Sequence, residues 1–368
     1  MVADPRSPWS PGWAVVPGEV LEEALEDREM SQAELARRTG RPMKTISEIV
    51  NGKASITPDT AIQLERALGI SASFWNGLEA RYREALARER AHRDLERHVS
   101  WLDHFPIREM VGLGVLPARE SNVATVGDLL SFFGVASPSA WERHWQRPSA
   151  SFRVPQSQQS STYAMAAWLR WGEKEALKIE ATSFDEATFR EALQKARPLT
   201  RLLALDIAMS RLRTLCAAAG VVVLVIPEIP GARVSGATRW LRRDRAFIQI
   251  SRRYLSDDQF WYSFFHEAGH VVEGRRADVV EDIDLGQPSQ DDEGERAANA
   301  FARDALIPPA DYRRLLAMGE LTPRLIQEFA AELRISAGVV VGRLQHDGHV
   351  PYSRLNELKR RYLAEGRG

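Results

Sequence analysis

Two histidines four residues apart, with a glutamate directly after the first, are the strongest chemical signal in this chain. His266, Glu267 and His270 lie in the order H-E-x-x-H within residues 264–272. On a helix, residues four apart lie one above the other, so both imidazoles would point to one place, as Zn²⁺ requires. Large apolar residues fall on the opposite side, which we expect to be buried, leaving the histidines at the edge of a cleft. Glu267 falls between the two faces, where a general base is needed.

The two histidines need a further partner, because a catalytic zinc ion takes three protein ligands and keeps one position for water. An acidic segment at residues 292–302 predicts a second helix that supplies this ligand. Glu295 and Asn299 lie one turn apart on it. We predict that Glu295 binds the metal and that Asn299 orients its carboxylate. Two alternatives stay open: Asp292 and Glu295 also fit a capping box, and Glu293 is a second acidic candidate.

These segments resemble the ImmA/IrrE family of metallopeptidases. The matching pieces are the HEAGH helix, the E-x-x-A-N-x-F-A pattern at residues 295–302, and the Leu-Ile-Pro at residues 306–308. The resemblance covers roughly the C-terminal half. It implies a zinc peptidase of the gluzincin type, with one Zn²⁺ per chain. It also implies a cytoplasmic protease that cleaves regulators, often repressors, in response to stress.

The composition restricts the class of protein. The 368 residues predict two or three domains, and 49 Lys and Arg against 50 Asp and Glu predict no partner from net charge. Cys216 is the single cysteine, which excludes a disulfide framework or a cysteine zinc site and fits a reducing cytoplasm. No apolar run approaches 18 residues, so we expect no transmembrane helix and no membrane partner.

Short helices with capping signals fill residues 15–90. Ser31 is a good N-cap, and Glu34 three residues later completes a capping box. Gly40 ends that helix, and the next runs through residues 42–52. Two short helices joined by a tight glycine-containing turn, inside a five-helix unit, are a helix-turn-helix arrangement. Basic residues outnumber acidic ones between residues 37 and 53, which is what contacts to DNA phosphates require.

This unit resembles the XRE family of DNA-binding regulators, and within it the antitoxin-type HigA branch. The similarity lies in residues 31–36, 46–53 and 74–75. It implies a recognition helix at about residues 43–51 in the major groove of double-stranded DNA, and it is compatible with a homodimer. The residues predicted to contact DNA are Gln32, Arg41, Lys44, Thr45, Ser47 and Lys53.

The fold class that follows is mainly α with a small β-sheet. We predict a flexible arm at residues 1–14, a helix-turn-helix domain at 15–90, a helical connector without chemical motifs at 91–199, and a gluzincin-like metallopeptidase domain at 200–368. Strands are expected at residues 221–226, 232–241 and 246–250, directly before the HEAGH helix. Residues 278–292 are expected to form a mobile loop over the cleft.

The combined interpretation is a DNA-binding transcriptional regulator with a zinc-dependent endopeptidase domain. Its substrate would be a regulatory protein, which could be a repressor, a toxin-antitoxin component or the chain itself. Glu267 would take the proton of the attacking water, and the donor that stabilises the oxyanion stays open among Tyr254, Tyr262, Tyr312, His346 and His349. The alternative is a non-proteolytic, HigA-like antitoxin or repressor whose metal domain senses a ligand or binds a toxin.

Overall fold

The computed structural model describes residues 15–150, 162–253, 255–274, 279–281 and 293–362, with only the backbone described at 146–150 and 279–281. The chain divides into two compact units, Met1–Val99 and Ser100–Gly368. Most of the described chain is helical, and one small mixed sheet lies in the second unit. The predicted fold class, mainly α with a small β-sheet, is confirmed. The predicted arm at residues 1–14 lies outside the described residues.

The first unit consists of five helices, as the sequence predicts: α1 Pro17–Glu26, α2 Gln32–Thr39, α3 Met43–Val50, α4 Pro58–Leu68 and α5 Ala72–Glu96. Ser31 caps α2 by accepting a hydrogen bond from the Glu34 amide at 3.2 Å. Gly40 follows α2 in the left-handed conformation (φ 68°), which glycine adopts without strain. The charged segment after residue 85 is the continuation of α5.

The core of this unit depends on the close approach of α1 to the end of α3. A Cβ atom on Gly18 would lie 2.1 Å from the carbonyl oxygen of Val50, so only glycine fits there. The completely buried side chains of this core belong to Leu21, Leu35, Ile46, Ala61, Leu64 and Trp75.

The second unit begins with helices from the motif-free middle of the sequence. After a short 3₁₀ helix at Val99–His104 come α6 Ile107–Gly112, α7 Asn122–Phe133, α8 Pro138–Ala150, α9 Thr162–Ala176 and α10 Glu186–Ala196, a 3₁₀ helix at Arg197–Arg201, and α11 Leu205–Ala217. They belong to the same compact unit as the sheet. The domain boundaries predicted from the sequence stay predictions.

One stretch, Asn122–Trp145, is long and apolar enough by length and composition to cross a membrane, and 39% of its most apolar window is buried. It includes all of α7 and the start of α8, with Gly134 between them in the left-handed conformation (φ 69°). The 12 residues of α7 extend over about 18 Å, less than the roughly 30 Å of a bilayer core. The break at Gly134 therefore argues against one continuous membrane-spanning helix.

The sheet contains β1 Val221–Ile226, β2 Gly236–Arg242, β3 Arg245–Ser251 and β4 Val279–Glu281, in the order β1-β3-β2-β4. β1 and β3 are parallel, and β2 is antiparallel to both of its neighbours. The second strand begins at Gly236 and not at residue 232, because a turn closes at Gly231 (φ 90°), where the Ala232 amide donates to the Ile229 carbonyl.

Helices cover both faces of this sheet. Thr238 of β2 contacts α12 (Asp257–Val272) on one face. On the other face, the Gln249 amide of β3 donates to the Trp168 carbonyl of α9 at 2.8 Å. Beyond α12 the chain continues as α13 Glu293–Leu306, α14 Pro309–Ala317, α15 Pro323–Leu333 and α16 Ala337–His346, with a final 3₁₀ helix at Asn356–Leu358.

The C-terminal tail holds the beginning of α12. The Asp257 carboxylate is fully buried and accepts hydrogen bonds from the Arg360 backbone amide at 3.0 Å and from the Ser336 hydroxyl. The Arg360 guanidinium also bonds to the Thr200 carbonyl at 2.7 Å. Trp261 donates to the Tyr362 hydroxyl at 2.7 Å. The start of the HEAGH helix is therefore tied to three distant parts of the chain.

The contact between α9 and the sheet provides a test of this arrangement. A Cβ atom on Gly172 would lie 1.9 Å from Gln249 Oε1, and the fully buried Gln249 cannot move without losing its bond to Trp168. We expect Gly172→Ala to lower the free energy of unfolding by about 1–3 kcal/mol, the usual cost of overpacking. Thermal and urea unfolding of the full chain would measure it.

The matched control is Gly112→Ala in α6, where a Cβ atom would meet nothing within 4 Å. We expect its unfolding free energy to stay within about 1 kcal/mol of wild type. If the two variants unfold alike, α9 does not pack this closely on the sheet.

Candidate metal centre and nucleic-acid interface

The HEAGH segment lies in the second half of α12 and is completely enclosed. Asp257 and Asp258 in the first turn favour helix formation at this end, because the helix dipole attracts negative charge there. Large apolar side chains hold one side of the helix in the core. His266, Glu267 and His270 are all fully buried. These three polar side chains therefore cannot form hydrogen bonds with bulk water, and they need hydrogen-bond partners inside the protein.

The two histidines and Glu295 converge on one point. The Nε2 atoms of His266 and His270 are 3.0 Å apart, and each lies 3.3 Å from a carboxylate oxygen of Glu295. All the candidate ligand atoms lie within 4.8 Å of one another. Around a tetrahedral ion with bonds of about 2.0–2.2 Å, ligand atoms are separated by about 3.3–3.6 Å. The two distances from the imidazole nitrogens to the carboxylate match this spacing, and the distance between the two nitrogens is slightly shorter. Two imidazole nitrogens and a carboxylate are a donor set that fits Zn²⁺.

The electrostatics of Glu295 favour a charged ligand. Burial of this partly buried carboxylate opposes ionisation, but hydrogen bonds and favourable charge interactions with His266 and His270 hold its pKa below the usual range. A deprotonated carboxylate is the form that binds a cation. Glu293, the alternative ligand, is exposed and is not part of the cluster formed by the described His, Cys, Asp and Glu residues.

The structure places Asn299 against His266 and Tyr262. Its amide oxygen lies 3.0 Å from Nδ1 of His266 and accepts a hydrogen bond from the Tyr262 hydroxyl. The expected partner was the Glu295 carboxylate. Because Nδ1 of His266 can donate to this oxygen, the contact favours the tautomer whose Nε2 is free to bind a metal. Asn299 therefore contacts a candidate histidine ligand, and helical spacing alone did not indicate that contact.

Glu267 lies against β2. Thr238 donates from its hydroxyl to Oε2 of Glu267 at 2.6 Å and contacts the Glu267 carbonyl oxygen at 2.9 Å. The other carboxylate oxygen, Oε1, is buried and has no hydrogen-bond partner among the described residues. A Cβ atom on Gly236 would lie 2.6 Å from that oxygen, so glycine leaves the space beside it open. One oxygen of Glu267 is therefore held, and the other is available.

Burial raises the pKa of Glu267 to about 7, and the nearby Glu295 adds to this, while His266 and the hydrogen bond from Thr238 act in the opposite direction. A carboxyl group with a pKa near neutrality is suited to both accept and release a proton. Thr238 and Gly236 were not identified from the sequence. They carry no motif, and only the pairing of β2 within the sheet places them beside the carboxylate.

Four of the five candidate oxyanion donors belong to the described residues. The Tyr262 hydroxyl is engaged with Asn299. The ring of His346 lies 6.4 Å from that of Tyr262, and the ring of His349 lies 6.2 Å from that of Tyr312. Tyr254 lies outside the described residues. So does most of the predicted loop at residues 278–292, of which residues 279–281 form β4.

The predicted nucleic-acid interface is centred on α3 in the first unit. Lys44 is 85% exposed and lies 3.8 Å from Glu48, and Lys53 is exposed. Thr45 is half-buried. Ser47 is half-buried too, and Asn51 donates to its carbonyl oxygen at 2.7 Å.

The other basic residues of this region are paired within the unit. Arg41 donates to Gln63 at 2.5 Å. Arg37 and Arg38 both bond to the Glu34 carboxylate. Gln32 is the half-buried first residue of α2. The basic surface is consequently less uniform than the sequence suggested, and Lys44 and Lys53 are the lysines it presents to a ligand.

Comparison with known proteins identifies two family domains. Residues 21–75 match the family model described as helix-turn-helix, and residues 216–345 match the model of peptidase family M78 described as the IrrE N-terminal-like domain. The uncharacterized HTH-type transcriptional regulator YddM of Escherichia coli (strain K12) is 35% identical over 63 residues, which are 17% of this chain and 67% of that protein.

Virulence-associated protein A of Dichelobacter nodosus is 41% identical over 69 residues, which are 18% of this chain and 66% of that protein. The chain therefore spans about two thirds of the length of these two curated relatives. Among solved structures, the Pseudomonas aeruginosa antitoxin HigA with the higBA promoter is 34% identical and covers 23% of this chain and 94% of its own, with a TM-score of 0.22. The predicted resemblance to an XRE-type regulator joined to an ImmA/IrrE-like domain is confirmed.

The choice between Glu295 and Glu293 can be tested by metal content. We expect Glu295→Ala to lose bound metal during gentle dialysis, because it removes the only carboxylate that lies within 3.3 Å of both histidines in the described structure. Glu293→Ala is the matched control and should retain the wild-type metal content. Elemental analysis after dialysis measures both, and the reverse order would contradict the assignment.

Proposed function

The chain belongs to the helix-turn-helix regulators through residues 21–75 and carries an IrrE N-terminal-like domain of peptidase family M78 at residues 216–345, and we propose that it is a DNA-binding regulator with zinc-dependent endopeptidase activity. The proposed substrate is a regulatory protein, either a repressor or a toxin-antitoxin component. The single observation that carries the proposal is the buried Glu267 carboxylate beside the cluster of His266, His270 and Glu295.

His266, His270 and Glu295 are the proposed ligands of one Zn²⁺ per chain. When bound, the ion would lower the pKa of a water molecule and polarise a peptide carbonyl. Asn299 would hold the His266 ring in the tautomer that leaves Nε2 unprotonated. The buried surroundings of these groups support strong electrostatic interactions, because few water dipoles compete with them.

Glu267 is the proposed general base. Its Oε1 atom would accept a proton from the water that attacks the scissile carbonyl, while Thr238 holds Oε2 in place. A carbon–oxygen bond forms in this step. When the carbon–nitrogen bond breaks, the same carboxylate returns the proton to the leaving nitrogen. A pKa near neutrality supports both halves of this exchange.

The first unit is proposed to bind double-stranded DNA. Support comes from the helix-turn-helix match and from the exposed Lys44 and Lys53. Helix-turn-helix proteins commonly bind two half-sites as dimers, so a homodimer is part of the proposal. A cytoplasmic location follows from a role on DNA, and a role in stress response follows only from the family resemblance.

The alternative function is a repressor or antitoxin that does not cut proteins. The curated relatives described above match only 17% and 18% of this chain, so they do not support the peptidase activity. In this alternative, the metal domain senses a ligand or binds a toxin, and Glu267 takes no part in hydrolysis. Substitution of Glu267 separates the two functions.

We expect Glu267→Gln to keep its metal and to lose hydrolysis by about 10²–10⁴-fold, the usual cost of removing a general base. His266→Ala should lose metal and activity together. Each variant would be incubated with a co-purifying or neighbour-encoded regulator and followed by mass spectrometry. Glu273→Gln, an exposed carboxylate just after α12, is the matched control and should cut normally.

Cleavage by Glu267→Gln at the wild-type rate would contradict the peptidase assignment. If neither the wild-type protein nor Glu267→Gln cuts any regulator and DNA binding is normal, the non-proteolytic alternative is favoured.

DNA binding can be tested independently through its dependence on salt. We expect the affinity of the full chain for duplex DNA to fall as salt increases, because lysine contacts to phosphates release counterions. Lys44→Ala should weaken binding and reduce the slope of log affinity against log salt by about 1. Fluorescence anisotropy measures both quantities. An affinity that changes neither with salt concentration nor in Lys44→Ala would count against this interface.

A further inference from the structure

The exposed side of the recognition helix begins with an apolar residue. Met43 is the first residue of α3, and 48% of its surface is exposed. The other large apolar side chains of the helix, Ile46, Ile49 and Val50, are buried in the core of the unit. Met43 is therefore the one apolar group that α3 offers to a ligand.

The polar side chains of α3 are already engaged to different degrees. Glu48 lies 3.8 Å from Lys44. The Asn51 amide donates to the Ser47 carbonyl at 2.7 Å and lies 3.4 Å from its hydroxyl. Met43 has no such option, since a thioether is only a weak hydrogen-bond acceptor. Its long, polarisable side chain gains mainly from contact with another apolar group.

The residues around Met43 restrict the class of ligand that could supply an apolar group at this place. Lys44 is adjacent and 85% exposed, so the same surface favours an anionic ligand. A ligand that binds here therefore needs both negatively charged groups, such as phosphates, and a small apolar group. Duplex DNA presents such a group in the major groove, where the 5-methyl of thymine distinguishes an A·T pair from the others.

We propose that Met43 packs against the 5-methyl group of a thymine and so makes one position of the recognised DNA sequence specific for an A·T pair. The inference rests on the proposed DNA binding. It agrees with the general docking of helix-turn-helix proteins, in which the N-terminal residues of the second helix contact base edges. Lys44 supplies attraction to the backbone, and Met43 supplies selectivity for a base.

Deoxyuridine provides the test, because it differs from thymidine only in lacking the 5-methyl group. A binding site would be selected for the full chain from a random duplex library, and each thymine would then be replaced in turn. We expect one replacement to weaken wild-type binding by about fourfold, the effect of one buried methyl-sized group. Met43→Ala should bind the two forms of that position equally.

Two further variants complete the comparison. Met43→Leu keeps an apolar side chain and should retain the preference for thymine at the sensitive position. Phe74→Ala removes another exposed apolar side chain, 47% exposed on α5, and should leave the wild-type ratio between the thymine and uracil forms unchanged. The effect would then be assigned to Met43 and not to a general loss of apolar surface.

The inference would be overturned if the full chain binds the selected duplex but no thymine methyl group contributes to binding in a way that depends on Met43. The proposed DNA binding would remain intact in that case. Failure of the full chain to bind any duplex at low salt would overturn both. A methyl effect that is lost in Met43→Ala and kept in Met43→Leu supports the contact, because a change in folding would alter all positions together.

Discussion

The close approach of α12 and α13 is the contact on which the candidate metal centre depends. A Cβ atom on Gly269 would lie 3.0 Å from the Cα of Ala298, which is tighter than nine in ten real contacts of a Cβ atom. Small residues on both helices therefore bring them together, and Ala298 is fully buried there. Without this approach Glu295 would not reach both histidines, and Asn299 would not reach His266.

The sheet adds the second requirement, a defined environment for Glu267. Burying a carboxylate is costly unless it is hydrogen-bonded or becomes neutral. Thr238 supplies one hydrogen bond, and the increase in pKa to about 7 reflects the rest of that cost. Gly236 keeps the space beside Oε1 free. α9 supports the same sheet from its other face through Gln249, although residues 162–176 lie outside the stretch matched by the M78 model.

The helix-turn-helix unit follows a different principle, because its proposed function depends on an exposed surface and not on an enclosed site. Its core fixes α3 through buried aliphatic residues, and the side chains left outside decide what it can recognise. Glu34 pairs with Arg37 and Arg38, which reduces the positive charge expected from counting residues 37–53 alone. Charge counts within a short window miss a neutralising partner that lies just before it.

The sequence by itself determined the helices and the residues that make up the candidate metal centre. Helical periodicity and capping residues act over three to four positions, so the five N-terminal helices, the HEAGH helix and the choice of Glu295 could all be inferred from local spacing. The strands at 221–226 and 245–251 were also readable as apolar runs. Contacts between distant segments were decided only by the tertiary structure. Thr238 and Gly236 are about 30 positions from Glu267, and strand pairing places them there. Asn299 was predicted to serve Glu295 but contacts His266, because the rotation of α13 against α12 is set by the packing of small residues, which no local period encodes.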